Sequence, residues 1–292
     1  MSKSVRSKVI GFFALALLIA MLPVYAYILF SLSQETRQAL ASADNLMPVT
    51  TVKEITGCTV ISFPGVYVLT QDIAGTYPSE NWCIKIVASD VVLDGQGHSI
   101  VGPGTEEIGI GGILVKSVSN VTIKNTKIAG YWTGIYLYES SGCIIANNTI
   151  MDNGYVGITL SLSNGNTIAN NTIVNNVLAG VVLYESSGNT IVGNAFINNG
   201  LRVEGRSYGN TVLNNTVNGK PLVYLENASN VVVDYPVGQV VAVRSRNITV
   251  KDVMIENTTI GVVFLETNNS KIENCIIRNN ILFGIELSHS NN

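Results

Sequence analysis

GIYLYESSGCIIANNTI (134–150), GITLSLSNGNTIANNTI (157–173) and GVVLYESSGNTIVGNAF (180–196) are three lines of one pattern, each starting 23 residues after the last. A unit of that length repeated in tandem cannot bury its apolar face alone, so it implies stacked coils. With each leading Gly as position zero, positions one and three are apolar: Ile113 and Val115, Ile135 and Leu137, Ile158 and Leu160, Val181 and Leu183. Alternation is the signature of a strand. Position eleven holds Ile123, Ile145, Ile168 and Ile191. Position sixteen holds Ile128, Ile150, Ile173 and Phe196. Three apolar pieces per unit are separated by Gly, Ser and Asn, the residues of turns. The expected fold is all-β, a three-sided parallel β-helix. Its right hand follows from the crossover preference of parallel strands.

Asn148, Asn171 and Asn194 share position fourteen, and Asn215 joins them after a one-residue slip. Like amides on successive coils can bond to one another in a ladder. Coils are expected to begin near residues 112, 134, 157, 180, 200, 221, 240 and 261, with a last one opening at Gly284. That last coil stops part-way round, so an open edge awaits further coils or a partner.

The chain starts with Lys3, Arg6 and Lys8, followed by an apolar stretch from Val9 to Leu32 that is 24 residues long. This is enough for one hydrophobic α-helix across a bilayer, with the basic flank inside and the remainder outside. Val24-Tyr25-Ala26 offers the alternative of a cleaved signal peptide. Either way the solenoid is extracytoplasmic. Residues 33–50 read as a juxtamembrane linker. Residues 51–82 depart from the repeat and read as an N-terminal cap, and the coils occupy 83–292. In an oxidising compartment a Cys58–Cys83 bridge would pin cap to coil. Cys143 and Cys275 lie several coils apart, too far to pair, and read as buried small hydrophobes.

Charged residues make up 13% of the chain and the net charge is −3. No basic surface for phosphates follows from that, which argues against a nucleic-acid partner. A Cys ahead of PGVYVL (64–69), a second Cys opening CIKI (83–86), the run VVLDGQGHSI (91–100) and the later NNTI turns carry a family resemblance. Over roughly residues 56–292 the sequence resembles the NosD-like right-handed β-helix proteins, whose domain is named for carbohydrate-binding proteins and sugar hydrolases. The resemblance implies the fold. It leaves the activity open, because this superfamily hosts lyases, hydrolases, epimerases, copper-site accessory proteins and surface modules.

Several residue sets could carry chemistry. Outward positions two and four give Lys116, Tyr136, Tyr138, Tyr184, Arg202 and Glu204, which stacking would gather into one patch. Tyr rings offer a platform for a sugar face, and Lys116 and Arg202 could hold a carboxylate. Glu139, Glu185, Glu226 and Glu266 share position five. Glu139 and Glu185 would sit two coils apart, roughly 10 Å and too far for paired glycosidase carboxylates. Asp94 and His98 fall in a Gly-rich turn. His98 and His289 do not cluster with Met151 or Met254, so no metal site and no cofactor are expected. Asn120, Asn147, Asn170, Asn214, Asn227, Asn247, Asn257 and Asn268 head glycan-acceptor triplets. The catalytic motifs of polygalacturonases, alginate epimerases and pectate lyases are not found. The reading is therefore a membrane-tethered module that binds carbohydrate or a surface partner. A polysaccharide-modifying enzyme and a NosD-like accessory for copper-site assembly are the alternatives.

Overall fold

The computed structural model describes residues 52–75 and 81–291. The expected N-terminal helix and linker lie outside them. Every regular element among the described residues is a β-strand, 31 in number. The inward columns are as the repeat dictates. Ile113, Ile135, Ile158 and Val181 pair in register along one sheet. Ile123, Ile145, Ile168 and Ile191 pair along a second, and Ile128, Ile150, Ile173 and Phe196 along a third. All are fully buried in one core. Each such side chain contributes about 1.5–3 kcal/mol by leaving water. Stacking, not any single coil, makes that burial available.

The leading glycines are required by crowding. A Cβ at Gly134 would lie 2.6 Å from the Gly157 carbonyl and 2.8 Å from Ile150. Gly157 stands in the same relation to Gly180.

The NNTI turn divides its two asparagines between opposite tasks. Asn147 and Asn170 take positive φ, 57° and 54°, and face solvent. Their neighbours Asn148 and Asn171 are buried. The Asn171 amide donates to the Ile145 carbonyl (2.9 Å) and to Asn194 Oδ1 (3.0 Å). Its oxygen accepts from the backbone N–H and the side-chain amide of Asn148 (2.9 and 3.1 Å). Asn194 and Asn215 continue the ladder. Two further amide ladders run at the other corners, Asn153–Asn176–Asn199 and Asn166–Asn189–Asn210. A serine ladder links Ser140, Ser163, Ser186 and Ser207.

The stretch expected to be a cap is built like the coils after it. Thr59–Ile61, Gly65–Leu69 and Ile73–Ala74 pair in parallel with Trp82–Ile86, Val91–Asp94 and Ser99–Val101. Val52–Ile55 is the outermost strand of its sheet, and the Cys58–Cys83 disulfide ties the first two coils together.

At residue 217 the stack does something the repeat does not announce. Thr216–Val217 and Lys220–Glu226 form an antiparallel pair around Asn218-Gly219, both at positive φ. Asn-Gly is the preferred centre of such a hairpin. The coil expected near residue 221 therefore starts there but does not lie on the coil before it. Lys220–Glu226 pairs instead with Gln239–Val243, which leads on to Ile260–Leu265 and Phe283–Ser288. This second stack has its own core of Val240, Ala242, Val262 and Phe264. The opposite face of the same strands, Val241, Val243, Val263 and Leu265, joins the first core beside Leu201 and Val203. The second stack thus seals the end of the first. Gln239, fully buried, completes the seal: its oxygen accepts from Leu201 N–H (2.9 Å) and its amide donates to the carbonyls of Leu201 (2.8 Å) and Ile260 (2.9 Å). At the far end Phe283, Ile285 and Leu287 are exposed on a strand paired along one edge among the described residues.

Removing the Asn171 amide leaves the Asn148 N–H without its acceptor and takes one donor each from the Ile145 carbonyl and from Asn194 Oδ1. Asn171→Ala is expected to lower stability by about 2–4 kcal/mol in urea unfolding. Asn170→Gly should stay within about 0.5 kcal/mol, because Gly suits positive φ and the residue is exposed. Equal losses would show that the ladder is not what holds the stack.

Candidate functional site

The six outward residues picked from the sequence do lie on one face of one sheet, in two columns. Lys116, Tyr138, Ser161, Tyr184 and Glu204 are successive partners in the first. Leu114, Tyr136, Thr159, Val182 and Arg202 form the second. Within this face the structure draws some of them together and holds others apart.

Tyr136 and Tyr138 sit with ring centroids 6.1 Å apart. Trp82, which the sequence reading passed over, stacks on Tyr136 at 5.9 Å with 29° between the planes. Its room comes from Gly111, the residue paired with it on the next coil: a Cβ there would fall inside the indole. Trp82, Leu114, Lys116, Tyr136 and Tyr138 line a shallow depression of about 280 Å³. Lys116 is exposed and has no ion-pair partner among the described residues. A hydrogen bond with the Glu139 carboxylate raises the pKa of the Tyr138 hydroxyl. Glu139 is itself held by the Ser117 hydroxyl at 3.0 Å.

Tyr184 stands apart from this strip, with buried Ser161 between it and Tyr138. Arg202 Nε lies 2.5 Å from Glu204 Oε1. Residues two apart on a strand point to the same side, so this pair forms locally. The charge expected to hold a sugar carboxylate is already met by its neighbour.

The remaining candidates fall into turns. Glu139, Glu185 and Glu266 occupy corner positions at φ 51°, 48° and 49°. Glu226 drops out of that column, because Asn227 takes the corner in its coil at φ 52°. Glu226 accepts instead from the Gly209 N–H (2.6 Å) and the Tyr224 hydroxyl (2.9 Å). Asp94 caps its own turn through the Gln96 N–H (2.9 Å) and takes the Asn125 amide (3.0 Å). His98 Nδ1 lies 3.4 Å from Asp72 Oδ1. Of the acceptor asparagines, Asn147, Asn170, Asn214, Asn227, Asn247, Asn257 and Asn268 are exposed; Asn120 is half-buried and donates to Asp90 at 2.6 Å. The ladder positions belong to other asparagines.

A family model described as periplasmic copper-binding protein (NosD) matches residues 53–232. The chain belongs to the NosD family. No curated protein matches the sequence. Among solved structures, the Dettilon tailspike protein gp208 is similar at 14% identity and a TM-score of 0.49, over 81% of this chain and 61% of that one. The alginate lyase from Paenibacillus sp. str. FPU-7 is similar at 14% identity and 0.44, over 82% and 99%. PfbA, a surface adhesin of Streptococcus pneumoniae, is similar at 13% identity and 0.43, over 86% and 87%. The chain spans about 61% of the tailspike's length.

The donor chemistry of this NosD-family chain does not fit a copper centre among the described residues. No three His, Cys, Asp or Glu side chains converge. Cys58 and Cys83 are spent in the disulfide. Burial pushes the Cys143 thiol up to about 11, away from the thiolate that binds metal. Cys275 is half-buried and donates to the Glu273 carbonyl at 3.2 Å, so it is less enclosed than a core residue.

Reactivity separates the two free thiols. At pH 8 iodoacetamide should modify Cys275 well before Cys143 in the folded chain, and both alike in urea. Mass spectrometry of the alkylated peptides reads the order. Prompt labelling of folded Cys143 would contradict its burial.

Proposed function

We propose that the chain is an extracytoplasmic, membrane-tethered β-helix, right-handed and three-sided, that binds carbohydrate without transforming it. The observation that carries this reading is the aromatic strip Trp82–Tyr136–Tyr138 above Leu114, with exposed Lys116 at its side. Aromatic rings on a rigid sheet present an apolar face ringed by polar groups, which matches the two-sided character of a pyranose. The disulfide and the periplasmic description of the family support a location outside the cytoplasm. The exposed edge at Phe283–Ser288 is where a further coil or a surface partner would add.

A second reading comes from the family description, which names copper. It takes the form of an accessory to copper-site assembly that does not rely on the donors described above. Tight stoichiometric uptake in a copper titration would favour it over the saccharide reading.

Binding of the solenoid to an array of neutral and acidic oligosaccharides tests the first reading. Trp82→Ala and Tyr138→Ala should each weaken the best-bound saccharide roughly tenfold. Gly111→Ala should weaken it too, by displacing the indole, with a shift in Trp fluorescence. Retained affinity in all three folded variants would remove the strip from the binding site. Appearance of unsaturated or new reducing ends during the incubation would instead point to a polysaccharide-modifying enzyme.

A further inference from the structure

The second stack carries a groove that differs in kind from the aromatic strip. Its corner column runs Asn227, Arg244, Glu266, His289, each at positive φ, so these side chains leave the coil outward. Beside it runs a column of Ser229, Arg246 and Asn268, bridged in parallel. Together they line an open groove of about 590 Å³.

Arg244 is held on one side only. Its guanidinium lies over the Tyr208 ring, Cζ 4.8 Å from the centroid, and its Nε is 3.7 Å from Glu266 Oε2. Glu266 is fixed in turn by the Tyr208 hydroxyl, which donates to Oε1 at 2.5 Å. The terminal nitrogens of Arg244 donate to no acceptor among the described residues. Arg246 is exposed and makes no ion pair among them. Asn268 Oδ1 accepts from the Asn291 N–H at 2.8 Å, which leaves its amide N–H groups free to donate. The groove thus has two guanidinium groups against one carboxylate, on a chain whose net charge is −3. Guanidinium is the group best shaped to grip a carboxylate by two parallel hydrogen bonds. Ser229, Asn227 and Asn268 add hydroxyl and amide groups suited to sugar hydroxyls.

We infer that this groove is a second binding site, specific for a carboxylate-bearing saccharide such as a uronate unit of an acidic polysaccharide. Arg246 grips the carboxylate, with Arg244 oriented beside it by Tyr208 and Glu266. The site does not depend on the aromatic strip. Asn227 and Asn268 border it, so a glycan attached to either would cover it.

The test uses the chain with Asn227 and Asn268 shown by mass spectrometry to be unmodified. Tetragalacturonate, its full methyl ester and inorganic phosphate are titrated by calorimetry at low salt. Tetragalacturonate is expected to bind and the ester not. Arg246→Gln should weaken tetragalacturonate roughly tenfold, and Arg246→Lys by less, because the charge is kept and the two-pronged geometry lost. The Arg246 side chain is exposed and makes no hydrogen bond or ion pair among the described residues, so its loss should leave the melting temperature unchanged. Equal binding of the ester, or undiminished binding in folded Arg246→Gln, would overturn the inference. Phosphate binding as tight as tetragalacturonate and competing with it would reduce the groove to a simple-anion site and overturn the saccharide assignment.

Discussion

A carboxamide in a protein interior must use nearly all of its hydrogen-bonding capacity or it destabilises the fold. In the asparagine ladders that requirement is met jointly by the backbone and by another carboxamide one coil away. In the Asn148–Asn171–Asn194–Asn215 series each of the first three donates to the next, and Asn215 ends the run on the Ile191 and Leu213 carbonyls. A shift of one residue would bring the solvent-facing corner asparagine inward and send its buried neighbour out. The strictness of the repeat is therefore a hydrogen-bonding constraint as much as an apolar one. Isoleucine columns would tolerate some slippage in depth; the ladders would not.

The outer surface is free of that constraint, and this is where the coils differ. Position two on the outside is Leu114, Tyr136, Thr159, Val182 and Arg202, with no common character. Inside, the equivalent residues are all aliphatic. Divergence on the outside over a uniform inside is what a scaffold looks like when its interior is fixed and its exterior is free to vary. The aromatic strip and the arginine groove both belong to this exterior, on different stacks.

Most of the architecture was legible because alternation and period are local signals that repeat. The first core, the ladder at position fourteen and the Cys58–Cys83 bridge all appear as expected. The break at residue 217 was missed although its signal, Asn218-Gly219 before Lys220-Pro221, stands plainly in the sequence. The approximate spacing of the later coils masked it. Its cause is tertiary: the Val241, Val243, Val263 and Leu265 face finds an apolar partner in the open end of the first stack. A strand apolar on both faces, as Gln239–Val243 is, was the second available sign. Half of the candidate surface was readable from alternation alone. Trp82 was not, because it precedes the recognisable repeat and depends on the absence of a side chain at Gly111. The engagement of Arg202 by Glu204 was within reach, since alternate residues on a strand share a side.

Gln239 meets the terminal coil of the first stack with a side chain that imitates a peptide group. A joint made this way consults only the last turn and is indifferent to how many precede it. Coil number becomes a dial: each 23-residue unit gained or lost would change the separation between the two outer surfaces by about 4.8 Å while leaving both intact. The chain is in this sense a ruler, whose length is set by copying or dropping whole turns.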